Sequence, residues 1–184
     1  MKEILVIDIE TTGFLKQGGS IVEVGMVALD LDTGRKKIVY DSMMREKGIG
    51  PKTVARSWIV QNGYIAPDEI LTAPPFDSQK AAMQQVLDRY ALGATAYNRN
   101  FDFDFLESRG LRIRKKLPCP MLLSTPVCKL PKRSGGYKWP KVEEAWEHFF
   151  GPHTGYIEQH LGADDAFHEA DIVYALYKQG HYRL

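Results

Sequence analysis

Cysteine is scarce in this chain, and so are long apolar runs and net charge. Only 2 cysteines, Cys119 and Cys128, occur among 184 residues. They form neither a zinc-ligand pattern nor a disulfide framework. They read as ordinary buried or partly buried thiols, and so few of them fit a reducing cytoplasm. No stretch approaches the roughly 20 apolar residues that span a bilayer, so no membrane partner is expected. The opening apolar run, Ile4 to Ile9, is broken by Asp8 and leads into Glu10. It is too short and too charged for a secretory signal. A net charge of +1 gives no overall attraction to a polyanion.

The material for a core is present. A hydrophobic share of 44% over 184 residues suits one globular domain, residues 1–184. No repeat, low-complexity tract or linker divides it. The charge, though nearly balanced in sum, is unevenly placed. From Arg109 to Lys141 there are ten basic residues and no Asp or Glu, while the remainder carries fourteen basic against twenty-three acidic. That stretch is available to meet a polyanion, although charge runs are more commonly solvated loops.

The periodicities predict an antiparallel meander first. Ile4–Ile9 reads as a buried strand, Ile21–Leu29 as a second, and Lys37–Tyr40 as a third after the turn Asp32-Thr33-Gly34. Pro51 to Pro75 is irregular, with short helical pieces. Ser78–Tyr90 has helical spacing, with Ser78 as its cap. Ala94–Tyr97 is a short strand, and Phe101–Ser108 a helix stopped by Gly110. A short helix fits Met121–Cys128. Val142–Phe150 is an amphipathic helix, residues 152–163 a loop, and Asp164–Gln179 a closing helix. Strands followed by helices mixed with strands predict an α/β fold with a mixed sheet.

Three acidic clusters carry the chemistry. Asp8 and Glu10 sit at i and i+2 near the end of the first strand, which points both carboxylates to one sheet face. Two carboxylates there are costly without cations, and oxygen-rich sites suit Mg²⁺ or Mn²⁺. The turn Thr11-Thr12-Gly13 brings the backbone close. Asp102 opens a helix, with Phe101 and Phe105 packing inward and Asp104 on another helix face. Asp165 lies in the first turn of the last helix, and His160 on the loop before it. A loop histidine suits a general base near neutral pH. His168 with Asp171 shares one helix and is the rival pair, and His153 also lies nearby.

Asp8-Ile-Glu10-Thr-Thr-Gly13, Asn98-Arg-Asn-Phe-Asp102 and His160-Leu-Gly-Ala-Asp-Asp165 together resemble the motifs of the DEDDh-type 3′–5′ exonucleases. The resemblance covers nearly the whole chain. The related subtype with tyrosine is not matched, because Leu161 stands at that position. The resemblance implies a ribonuclease H-like fold, a mixed central sheet with helices on both faces. It implies two divalent ions, Mg²⁺ or Mn²⁺, held by Asp8, Glu10, Asp102 and Asp165, with His160 as base. Nucleoside 5′-monophosphates would be released from a nucleic-acid 3′ end. Thr11, Thr12, Gly13, Phe14 and Asn98 are expected at the substrate, with Phe14 against the terminal base unless it is a core residue. Single-stranded DNA is the expected substrate, with RNA and a homodimer both left open. The competing reading is a non-catalytic nucleic-acid-binding module or a polymerase-associated proofreading module of the same fold. A visible docking tail is lacking, which favours a free-standing enzyme. Tyr137-Lys138-Trp139 interleaves rings with charge; packing of Trp139 under the next helix is expected over strand binding.

Overall fold

The computed structural model describes residues 2–152, 156 and 159–184. Strands β1 (Glu3–Thr11), β2 (Ile21–Asp30) and β3 (Lys36–Met43) form the expected antiparallel meander. β4 (Ala94–Thr95) pairs parallel to β1, giving the order β3-β2-β1-β4. It is two residues long, shorter than expected. Beyond it, Lys116 bridges to Ala94, so an irregular segment covers that edge.

Alternation along β1 divides the core. Leu5, Ile7 and Ile9 face α4 (Phe76–Arg89) and α5 (Arg99–Ser108), meeting Met83, Leu87, Phe103 and Phe105. Ile4 and Val6 face the other way, toward Ala145 of α7 (Val142–Phe150) and Ala166, Ala170 and Val173 of α8 (Gly162–Lys178). Each fully buried aliphatic chain stabilises the fold by about 1.5–3 kcal/mol relative to exposure. Helices therefore cover both faces, and β1 lies at the centre.

The irregular stretch resolves into three short helices, α1 (Pro51–Arg56), α2 (Trp58–Gln61) and α3 (Pro67–Thr72). They close over a small cluster of Val22, Val54, Ile59, Ile65 and Ile70. Helix α6 spans Pro120–Cys128. Two local expectations are corrected. Ser78 does not cap α4, which begins at Phe76 after Pro75; the Ser78 hydroxyl instead donates to the Pro75 carbonyl inside the first turn. The last helix begins at Gly162, so its first turn takes two residues from the expected loop.

Gly25 explains how α8 reaches β1. It stands opposite Asp8 in the β1–β2 register. A Cβ added there would lie 2.1 Å from the carbonyl carbon of Gly162. Lacking a side chain, this position lets the start of α8 rest on the sheet directly beside Asp8.

Candidate active site

Even-numbered positions of β1 put Asp8 and Glu10 on the α8 face, as their spacing predicts. Asp102 reaches them from α5. It is buried, and its Oδ1 accepts the backbone N–H of Ile9 at 3.3 Å, between the two strand carboxylates. Asp165, on the first turn of α8, is also buried. Three segments distant in sequence thus converge at one end of the central strand. Asp104 is exposed on another face of α5, as expected.

Crowding shows in the ionisation of the acids. Burial, then the charges of Glu169, Glu10, Asp102 and Asp165, hold the Asp8 carboxyl well above the ordinary carboxylate range. Burial pushes Asp102 up to about 8, against the opposing pull of backbone N–H groups including that of Ile9. Asp165 is raised by burial in spite of the N–H groups of Gln159 and Leu161. Carboxylates arranged like this ask for positive charge, and hard oxygen donors suit divalent Mg²⁺ or Mn²⁺. The donor set fits such ions.

His160 sits at φ 53°, a left-handed conformation uncommon outside glycine. The reason is local. Asp165 accepts the N–H of Gln159 at Oδ1 and of Leu161 at Oδ2, each at 3.1 Å, so its carboxylate bends the loop around His160. The Tyr156 hydroxyl reaches Oδ1 at 3.4 Å. One ligand atom each from Glu10, His160 and Asp165 lies within 4.8 Å of the others. Burial lowers the His160 pKa, with Asp165 and Glu143 opposing, which favours the neutral imidazole. The rival His168 is tied into helix packing: its Nδ1 lies 2.8 Å from the Asp164 carbonyl and its ring packs against Tyr156. His153 lies outside the described residues.

Sequence reasoning missed three features here. Glu169, one helical turn beyond Asp165, is a fifth carboxylate near Asp8; it is 3% exposed and accepts the Tyr97 N–H at 3.3 Å. Its i+4 spacing from Asp165 was the available signal. Glu23 pairs with Glu10 across the β1–β2 ladder, and burial raises it to about 7. Trp58 and Tyr64 stack on each other at 5.3 Å, and His160 meets both edgewise, at 4.9 and 4.2 Å between ring centres. No periodicity announces that pair, because it lies in the short helix α2 and the turn after it.

The turn after β1 is pinned by its own groups. Thr11 donates to the Gly13 carbonyl, and Thr12 exchanges backbone and side-chain hydrogen bonds with Ser20. Phe14 is 65% exposed, so it is not a core residue. Its ring meets Phe101 edge-to-face at 6.2 Å. Together with Leu15, Asn100, Asp104 and Phe105 they line a recess of about 380 Å³. Asn98 is exposed before α5 and makes no side-chain cap.

The basic stretch divides in two. Arg109 is a structural clip, paired with Glu46 at 3.0 Å and donating to the Gly19 carbonyl. Arg114 pairs with Asp88 and Lys116 with Glu107. Because Lys116 aligns with Ala94, and Ala94 with Leu5, residues 112–115 lie toward the strand end away from Asp8. The later part is different. Trp139 is 64% exposed, so the expected packing under α7 is not observed.

No family model matches the sequence. The chain is 24% identical over 179 residues to the PolC-type DNA polymerase III of Clostridium perfringens (strain 13 / Type A), covering 96% of this chain and 11% of that protein. It therefore spans about a ninth of that relative's length. Among solved structures it resembles the nuclease domain of 3′hExo, a DEDDh family member, bound to rAMP. The TM-score is 0.66 at 18% identity, over 99% of this chain and 95% of that one. Cell-death related nuclease 4 superposes with a TM-score of 0.69 at 16% identity, over 98% and 65%. E. coli exonuclease I in complex with a dT13 oligonucleotide gives 0.64 at 12% identity, over 96% and 41%. The chain has the mixed-sheet, ribonuclease H-like fold that these nucleases share.

Proposed function

We propose that this chain is a divalent-metal-dependent 3′–5′ exonuclease acting on single-stranded nucleic acid. The observation that carries the reading is the convergence of Asp8, Glu10, Asp102 and Asp165 beside His160, on a fold shared with 3′-exonucleases. The four carboxylates would hold two Mg²⁺ or Mn²⁺ ions. When bound, such ions supply activation of water and neutralise charge on the leaving oxygen.

This chain's own groups do the rest. Phe14 and Phe101 receive the terminal base on a sequence-tolerant aromatic recess. Thr11, Thr12, Gly13 and Asn98 border the 3′-terminal nucleotide. His160 accepts the proton of the attacking water as its oxygen bonds to phosphorus. The phosphorus–O3′ bond then breaks. The phosphate stays with the released nucleoside 5′-monophosphate, and the shortened strand keeps a 3′-hydroxyl after protonation by solvent. DNA is the proposed substrate, favoured by the similarity to a DNA polymerase. The same similarity supports a second reading, a proofreading module working beside a polymerase. The activity is assigned to residues 1–184 as one domain. No helix among the described residues is long and apolar enough to cross a membrane. The cytoplasm is the proposed compartment, with Cys119 and Cys128 both free thiols.

The test is a side-by-side assay on matched DNA and RNA oligonucleotides labelled at the 5′ end, with Mg²⁺, Mn²⁺ or chelator. Stepwise shortening of the DNA from its 3′ end, abolished by chelator, is expected. Internal cutting, or no shortening in either metal, rules the reading out. Faster loss of RNA reverses the sugar preference alone.

A further inference from the structure

The segment from Lys129 to Trp139 is a hairpin that contributes no residue to the buried core clusters. Lys129 turns the chain at φ 52°. Pro131 then pairs antiparallel with Tyr137, Lys132 donates its N–H to the Gly136 carbonyl, and Lys138 donates to that of Leu130. Gly135 and Gly136, at φ 87° and 74°, make the reversal. Residues 131–137 are all exposed. Large exposed rings carry a solvation cost, yet Tyr137 and Trp139 on the returning arm are 49% and 64% exposed. Lys129, Lys132 and Arg133 are exposed and have no carboxylate within salt-bridge distance among the described residues. Lys138 pairs with Glu144 at the hairpin's root.

The root lies against the candidate site. The Tyr97 hydroxyl is 3.1 and 3.2 Å from the carbonyls of Pro140 and Lys141, to which it donates. The N–H of the same tyrosine donates to Glu169, beside Asp8. Glu143, two residues beyond Lys141, acts electrostatically on His160. The hairpin therefore springs from the rim of the carboxylate cluster, whereas residues 112–115 lie toward the other end of the sheet.

We propose that this hairpin is a binding surface for single-stranded nucleic acid upstream of its 3′ end, with Tyr137 and Trp139 stacking bases and Lys132 and Arg133 meeting phosphates. Rings interleaved with unpaired cations, and no acid, fit a polyanion carrying flat faces better than they fit an apolar or acidic-faced protein. The inference rests on the exonuclease reading for the direction of the strand, but its binding test does not.

Binding is measured in chelator, by fluorescence anisotropy, with labelled oligonucleotides of about four and about twenty nucleotides. Tyr137→Ala with Trp139→Ala should weaken the longer strand about tenfold and leave the shorter one unchanged. Lys132→Ala with Arg133→Ala should flatten the salt dependence of the longer strand by about 1.4 units of slope. Equal losses for both lengths, or no loss for either, overturns the proposal. These side chains are exposed, so misfolding is not expected, and circular dichroism of each variant checks it. If the unaltered protein binds the longer strand through the hairpin but shortens nothing with Mg²⁺ or Mn²⁺, the exonuclease reading falls and the hairpin stands.

Discussion

Asp8 and His160 border the same space but are held by opposite means. Asp8 belongs to the central strand, with Gly25 across the ladder and α8 resting on both. Its position is set by the core of the protein. His160 lies on a loop in a left-handed conformation, fixed by two backbone N–H groups bound to Asp165 and by two rings from α2 and the turn after it. The acids are therefore preorganised by the fold, while the histidine depends on a few local contacts. Groups that only bind ions tolerate a rigid frame. The proposed base is held instead through a loop whose conformation Asp165 sets.

Substitution at the rigid end should have the largest effect. Asp8→Asn should reduce hydrolysis by about a thousandfold or more, since it removes a carboxylate from the proposed metal-binding set. The metal-free protein should melt no lower than the parent, because a buried carboxyl that resists ionisation is replaced by a neutral amide. Substantial turnover in this variant would sink the metal role of Asp8. At the tethered end, His160→Ala should cost about 10²–10⁴ in kcat, the range for a lost general base. His168→Ala should cost far less. The reverse ranking would move the base onto α8.

The ring contacts give a finer test of the same contrast. Trp58→Ala or Tyr64→Ala should lower kcat about tenfold with little change in KM, because a misplaced base reacts slowly. Phenylalanine at either position should restore most of the rate. In a His160→Ala background the ring substitutions should add nothing, since their effect passes through the imidazole. A further loss there, seen mainly in KM, would make the rings a substrate contact instead.

The same contrast explains what the sequence could reveal. Asp8 and Glu10 were legible because a strand's period of two fixes their common face, and the apolar run around them identifies the strand. Asp102 and Asp104 separate for a similar reason, since helical geometry sends them to different faces. The loop histidine was legible only through its spacing from Asp165. Its support was not, because Trp58 and Tyr64 belong to a short helix and the turn after it, whose order comes from tertiary burial of Ile59 and Ile65. Trp139 misled because a large ring beside an amphipathic helix usually packs. Glu169 and Gly25 each carried a signal, an i+4 acid on a helix and a glycine within a strand, but neither states its partner.

Glu23 offers the smallest and most selective probe. It lies beside Glu10 on the acid-bearing face, and burial holds it at about 7 against an ordinary 4.5, with Asp41 adding to the rise. A carboxyl raised in the folded state costs nothing below its unfolded pKa, where both states are protonated. Between about 4.5 and 7 the unfolded chain ionises while the folded one keeps its proton, so stability falls as pH rises. Above 7 the loss is complete, on the order of 3 kcal/mol. Asp102, raised to about 8, extends the same downward slope. In chelator the melting temperature should therefore drop by several degrees between pH 5 and 8. Glu23→Gln removes one titrating group without removing an expected metal ligand, so it should flatten the lower part of that slope and leave the part near pH 8. Added Mg²⁺ should oppose the drop near pH 8 in both proteins, because under the proposed metal role the ion binds the ionised acids of the folded state. If Glu23→Gln leaves the whole profile unchanged, the repulsion felt in this structure is confined to Asp8 and its partners on α5 and α8.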